Sequence, residues 1–262
     1  MMKNFKAFIL ALALLVGLFG LSACSGNQAT STQKTTITYS AAASLQTTLT
    51  QLGKSYEKAH PDVTIHFDFA GSGAIREKVA AGAPIDGIFL ASQSDITKLG
   101  KHVTAANAVL GNQLVLIAPV KSDKTTISTN QLSSNLTSAS KIAIGEPASV
   151  PAGMYAEQTL TKLGLWKSLQ AKFVQASDVT QVLSYVAAGN ADLGFVYKTD
   201  ALTSSKVKVL LTIPDSDHEP IRYYTAVVAD SKAQSATKAF NSYLASTEAQ
   251  KVFTKAGFTS LR

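Results

Sequence analysis

The sequence predicts an α/β protein built as two lobes. Strand-like and helix-like segments alternate from Thr36 to the C-terminus, and strands alternating with helices of this length argue for parallel sheets. Two apolar strand-like runs, LVLIAPV (114–120) and YYTAVVA (223–229), flank a self-contained middle block. That is the pattern of two lobes joined by two crossovers. No repeat of fixed period is present.

The elements follow in order. Thr36–Ser40 is a short β-branched run, and Leu45, Leu49, Leu52 and Tyr56 recur at helical spacing. Ser44 is placed to cap that helix, which reaches about Lys58. VTIHFDFA (63–70) alternates like a strand, with His66 at a surface position. Residues 73–82 read as a helix stopped by Gly82 and Pro84, 85–91 as a buried strand, and Ile96–Leu99 as part of a short helix. The middle block offers strands at 141–145, 173–176, 192–197 and 207–213. Its helices run over Ala156–Leu163, Leu165–Lys172 and from a cap at Asp178 to Ala188. Two helices, Ala233–Ser246 and Thr247–Ala256, close the chain.

The N-terminus indicates export. Lys3 and Lys6 precede an almost wholly apolar stretch, Ala7–Gly20, and then LSAC at 21–24. A basic head, a short apolar stretch and small residues at a cleavage point describe a secretory signal. The stretch is too short to span a membrane comfortably, which takes about 20 apolar residues. LSAC resembles the bacterial lipobox, which would make residues 1–23 a lipoprotein signal peptide and Cys24 the lipid-modified first residue. Cys24 is the single cysteine of the chain, so no internal disulfide is possible. Residues 25–35 (SGNQATSTQKT) are small and polar, so 24–35 reads as a flexible tether. The expected location is extracytoplasmic, with the chain anchored to the membrane through lipid on Cys24.

The net charge of +7 invites a nucleic-acid reading. The lysines are scattered singly, without a run of five, and an exported protein meets little nucleic acid, so that class is set aside. Enzyme templates are also missing: there is no G-x-S-x-G, P-loop, C-x-x-C or H-E-x-x-H. The four histidines, at 60, 66, 102 and 218, stand apart in sequence. No catalytic residue, cofactor or metal-ligand set is expected.

Four turns sit where a strand hands over to a helix: AAASL (41–45), GSG (71–73), VPAGMY (150–155) and QASDVTQ (175–181). A helix N-terminus carries unpaired N–H groups and about half a positive charge, so it binds anions without a basic side chain. Ligands of open α/β sheets bind at the carboxyl ends of strands. Several such termini on one cleft would trap an oxyanion. Taken singly, each turn has a plainer reading: Ser44 and Asp178 as caps, Gly71 and Gly73 as turn formers, Pro151 as a helix starter.

Taken together with FAGSGAIREKVAAGAPID, NQLVLIAP, IAIGEPASVPAGMYAEQTL, GLWKSL and DVTQVLSYVAAGNADLGFVYKTDA, in this order and spacing, the chain resembles the periplasmic molybdate-binding proteins of ABC importers over 36–258. The resemblance implies the type II periplasmic-binding-protein fold. Lobe I would comprise 36–117 and 225–262, and lobe II 118–224, with two hinge crossovers between them. It implies an anion held by the hydroxyls of Ser44, Ser72 and Tyr197 and the amide N–H groups of Ala152 and Val179, with no direct metal ligand. It also implies a monomer that hands its ligand to a membrane permease and its ATPase. The expected ligand is molybdate, with tungstate alongside; the alternative is another oxyanion on the same fold, tungstate alone or sulfate. None of the five matched positions carries a carboxylate. That disfavours hydrogen phosphate, whose proton needs an acceptor.

Overall fold

The computed structural model describes residues 34–261. The signal peptide, Cys24 and nearly all of the tether lie outside the described residues. In chain order the elements are β1 (Thr35–Ala42), α1 (Gln46–Ala59), β2 (Val63–Ala70), α2 (Ser72–Ala80), β3 (Gly87–Leu90) and α3 (Gln93–Leu99). Then come β4 (Val103–Gly111), β5 (Leu114–Pro119), α4 (Leu132–Ser138), β6 (Ile142–Gly145), α5 (Pro151–Lys162) and α6 (Trp166–Leu169). The rest are β7 (Phe173–Ala176), α7 (Val179–Ala187), β8 (Leu193–Tyr197), α8 (Lys198–Ala201), β9 (Val207–Thr212), β10 (Arg222–Val228), α9 (Gln234–Leu244), α10 (Thr247–Lys255) and β11 (Thr259–Ser260).

The strands form two sheets, ordered β11-β4-β10-β3-β1-β2 and β7-β6-β8-β5-β9. Each sheet has a parallel core, β2-β1-β3 in one and β7-β6-β8 in the other. The parallel sheets expected from the alternation are in fact mixed. β10 runs antiparallel to β3 and β4, and β5 runs antiparallel to β8 and β9. The reason is topological. Each crossover delivers its next strand into the other sheet, where it enters from the opposite end.

Sheet pairing also cuts across the lobe boundaries expected from the sequence. Leu114–Ile117, placed in lobe I from the sequence, pairs with Tyr197–Gly194 of β8 in the second sheet. Arg222–Tyr224, placed in lobe II, pairs with β3 and β4 in the first. The chain changes sheet at Asn112–Gln113 and again between Ile213 and Ile221.

Packing explains the alternation. Leu45, Leu49, Leu52 and Tyr56 form the buried stripe of the first helical segment. Tyr56 meets Phe240 of α9 at a centroid distance of 5.0 Å, and Phe240 meets Tyr39 of β1 edge-on at 5.1 Å. Such aromatic pairs add about 0.5–1.5 kcal/mol beyond the area they bury. In the second sheet, Val182 and Val186 of α7 are fully buried and pack onto β8 at Gly194, where a Cβ would run into both side chains. A second small core on the first sheet joins Ile75 and Val79 of α2 to Ile88, Leu90, Ala226 and Val228.

The cap expected at Asp178 is present, its side chain accepting from the Gln181 N–H. The cap expected at Ser44 is absent. A 3₁₀ turn, Ala43–Leu45, precedes α1, and neither it nor α1 has a side-chain cap. The Ser44 hydroxyl is engaged 179 positions away, with the Tyr223 hydroxyl at 2.9 Å.

Candidate functional site

The parallel strands of the two sheets turn their carboxyl ends to one shared cleft, the position at which open α/β sheets bind ligands. A small cavity of ≈ 10 Å³ lies there. Ser44, Ser72, Ala152, Val179 and Tyr197 all line it. The structure therefore gathers in one place five residues spread over 154 positions of chain. The lining also includes Ala42, Ala43, Ala70, Ala91 and Asp178. The small side chains leave backbone N–H groups reachable by a compact ligand.

Each residue is placed by the start of an element. Ser44 follows the end of β1 within the 3₁₀ turn. Ser72 is the first residue of α2, after an extended Gly71 with φ −60° and ψ 139°. Ala152 follows Pro151 at the first turn of α5, where proline needs no N–H partner. That turn lies directly on the end of β6. A Cβ at Gly153 would run into the Gly145 carbonyl, so only glycine lets α5 begin there. Val179 opens α7, and Tyr197 ends β8.

The donors are unusually free. First-turn amides have no intrahelical acceptor, and those of Ala152 and Val179 are bonded to no other group among the described residues. The Ser72 hydroxyl is fully buried and accepts the Ala91 N–H at 3.0 Å, which leaves its own proton available. The Tyr197 hydroxyl is buried and has no hydrogen-bond partner among the described residues. Burial holds this phenol well above its usual range, with the neighbouring Tyr223 contributing, so it remains protonated and can donate. Leaving such a group unsatisfied costs about 1–3 kcal/mol. Together with the N-termini of α2, α5 and α7, the cavity presents hydroxyls, amides and helix dipoles, a donor set with the chemistry to hold an anion, with no Lys, Arg or His in its lining.

One feature was not anticipated. Asp178, expected only as a cap, also lines the cavity. Its Oδ1 accepts the Gln181 N–H at 2.9 Å. Two further residues missed from the sequence sit behind Ser44. Tyr223 and Asn112 are buried and hydrogen-bonded to each other at 3.2 Å. No local signal marks either one, since both act across more than a hundred positions.

The two walls of the cleft touch. The Gly73 N–H, in the first turn of α2, donates to the Ser149 carbonyl at 2.8 Å. The Tyr155 hydroxyl of α5 lies 3.4 Å from the Ala91 carbonyl. Among the described residues no group of three or more His, Cys, Asp or Glu could hold a metal ion.

Residues 37–259 match the family of bacterial extracellular solute-binding proteins. A protein of Bacillus subtilis named as a candidate ABC transporter substrate-binding lipoprotein, YvgL, is 42% identical over 98% of this chain and 99% of its own. The molybdate-binding protein ModA of Escherichia coli is 35% identical over 85% of this chain and 88% of its own. Among solved structures, the substrate-binding domain of a candidate molybdenum ABC transporter from Clostridium difficile is 34% identical. It superimposes with a TM-score of 0.66 over 87% of this chain and 99% of that one.

Proposed function

Since this chain belongs to the bacterial extracellular solute-binding protein family, whose members bind for transport and do not catalyse, we propose that it captures molybdate outside the cell for an ABC importer. A permease and its ATPase are then its partners. The observation that carries this reading is the donor set of the cavity. Ser72 and Tyr197 have hydroxyl protons with no protein acceptor, and Ala152 and Val179 have free first-turn amides. A fully ionised tetrahedral dianion has four oxygens that only accept, and it suits such a site. Hydrogen bonds to ionised groups in a dry cleft are also the strong ones. The relatives named for molybdate or molybdenum support the same choice.

Tungstate, equal in charge and close in size, is expected to bind as well. Sulfate has the same charge and shape but is smaller, so fewer donors reach its oxygens at once. Hydrogen phosphate could direct its proton to Asp178, the one carboxyl side chain of the lining, and is the sharper competitor to exclude. Titration calorimetry should give one equivalent of molybdate bound, displaced by tungstate and at least about tenfold more weakly by sulfate and hydrogen phosphate, a gap of 1.4 kcal/mol. Tighter binding of hydrogen phosphate than of molybdate would refute the assignment.

The lobes of the binding cycle are drawn at the two changes of sheet, so that 112–113 and 213–221 serve as hinges. The lipid anchor at Cys24 accords with the lipoprotein name of the Bacillus relative. Membrane-extracted protein should carry lipid on Cys24 as its first residue, and an unmodified Cys24 there would contradict this.

A further inference from the structure

Behind the cavity, buried side chains form a chain of hydrogen bonds whose direction is determined by their chemistry. It begins at Asn112, on the first change of sheet. The Asn112 Oδ1 accepts the Gln113 N–H at 2.9 Å, which fixes the amide so that Nδ2 faces inward. Nδ2 can only donate. Its two protons go to the Thr199 hydroxyl at 2.9 Å and the Tyr223 hydroxyl at 3.2 Å. The Tyr223 oxygen is therefore an acceptor from Asn112, and its single proton goes to its other partner, the Ser44 Oγ at 2.9 Å. Ser44 then accepts from Tyr223, and its own proton is left for the cavity it lines.

We propose that Asn112 and Tyr223 are positioning residues that make Ser44 an obligate donor to the bound anion, through the directed relay Asn112 Nδ2 to Tyr223 hydroxyl to Ser44 Oγ. This rests on the oxyanion reading of the cavity and adds to it two residues that do not touch the ligand. Tyr223 is fully buried. Burial, with the nearby Asp200 adding to it, keeps the phenol well above its usual range, so it retains the proton that the relay requires. The relay also joins the two sheets at the hinge. Asn112 holds Thr199, two residues past Tyr197, with one proton, and Tyr223, the second residue of β10, with the other. A hydroxyl whose donor direction is preset does not lose rotamer freedom on binding, and successive hydrogen bonds polarise one another.

The test is a double-mutant cycle read by titration calorimetry on wild type, Tyr223→Phe, Ser44→Ala and the double variant. It is run with molybdate, or with whichever of sulfate and hydrogen phosphate the wild type binds in its place. Failure of the oxyanion reading then shows in the wild type, and failure of the relay shows only in the cycle. Tyr223→Phe keeps the ring and removes the link. It should weaken binding roughly three- to tenfold, the range of one ordinary hydrogen bond, and cost nothing further once Ser44 is Ala. Equal losses in both backgrounds would mean that Tyr223 acts through packing at the hinge, and would overturn the relay, as would no loss at all. Should Tyr223→Phe fail to fold, Asn112→Ala removes the head of the relay and completes the same cycle with the same two outcomes.

Discussion

Replacing Tyr197 with Phe should move affinity and unliganded stability in different directions. The hydroxyl is buried with no partner among the described residues, so its removal breaks no protein hydrogen bond. The melting midpoint without ligand should hold, or rise with up to about 3 kcal/mol of relief, at roughly 2–4 °C per kcal/mol for a domain of this size. Binding should suffer, because a hydrogen bond to an ionised group is worth about 1.5–3 kcal/mol, or roughly ten- to a hundredfold in affinity. Titration calorimetry gives the affinity, and scanning calorimetry without ligand gives the midpoint. A variant that binds molybdate as tightly as wild type would show that Tyr197 does not reach the anion. A variant whose unliganded midpoint falls by several degrees would show that the hydroxyl has a structural partner, and the reasoning from its isolation would fail.

Two other expectations follow from the same geometry. A Cβ on Gly73 would come 2.5 Å from the Ser149 Cα and 2.7 Å from its carbonyl oxygen, so Gly73→Ala should obstruct closure of the cleft. An overpacking cost of about 1–3 kcal/mol corresponds to roughly five- to hundredfold weaker binding, and small-angle scattering should no longer show compaction on adding ligand; unchanged affinity would contradict this. Asp200, three residues beyond Tyr197, is buried, and desolvation pushes its carboxyl up to about 7 despite the Tyr197 N–H it accepts. Because the folded value is raised, its ionisation costs stability increasingly from about pH 4 to about pH 7 and fully above. A dianion bound nearby favours the protonated form further, so molybdate affinity should fall between pH 6.5 and 8.5, and Asp200→Asn should flatten both profiles; identical profiles for wild type and variant would refute the coupling.

What could be read in advance divides along the range of the interactions. Asp178 was legible as a cap because its acceptor bonds a group three residues away. The stripe Leu45, Leu49, Leu52 and Tyr56 was legible because its period is local. Ser44 was misread as a cap because its partner, Tyr223, comes from the far end of the chain. The strand β4 escaped notice since Thr104–Ala108 is a run of small residues, all exposed, with no alternation to betray it. Helix α4 was missed in a Ser- and Asn-rich stretch where only Leu132 and Leu136, one turn apart, are buried. The exchange of β5 and β10 between sheets is a matter of topology, and no local pattern encodes which sheet receives a strand. The five candidate site residues share a cavity because each lies at the carboxyl end of a strand or in the turn or helix start that follows it, and strand ends were visible in the sequence.

The most direct test of the account is diffraction from crystals grown with molybdate, recorded at the molybdenum absorption edge. A single anomalous peak is expected inside the cavity, with oxygens in hydrogen-bond reach of Ser44, Ser72, Tyr197 and the amides of Ala152 and Val179. A peak outside that cavity, or none in crystals of protein that binds molybdate in solution, would contradict it.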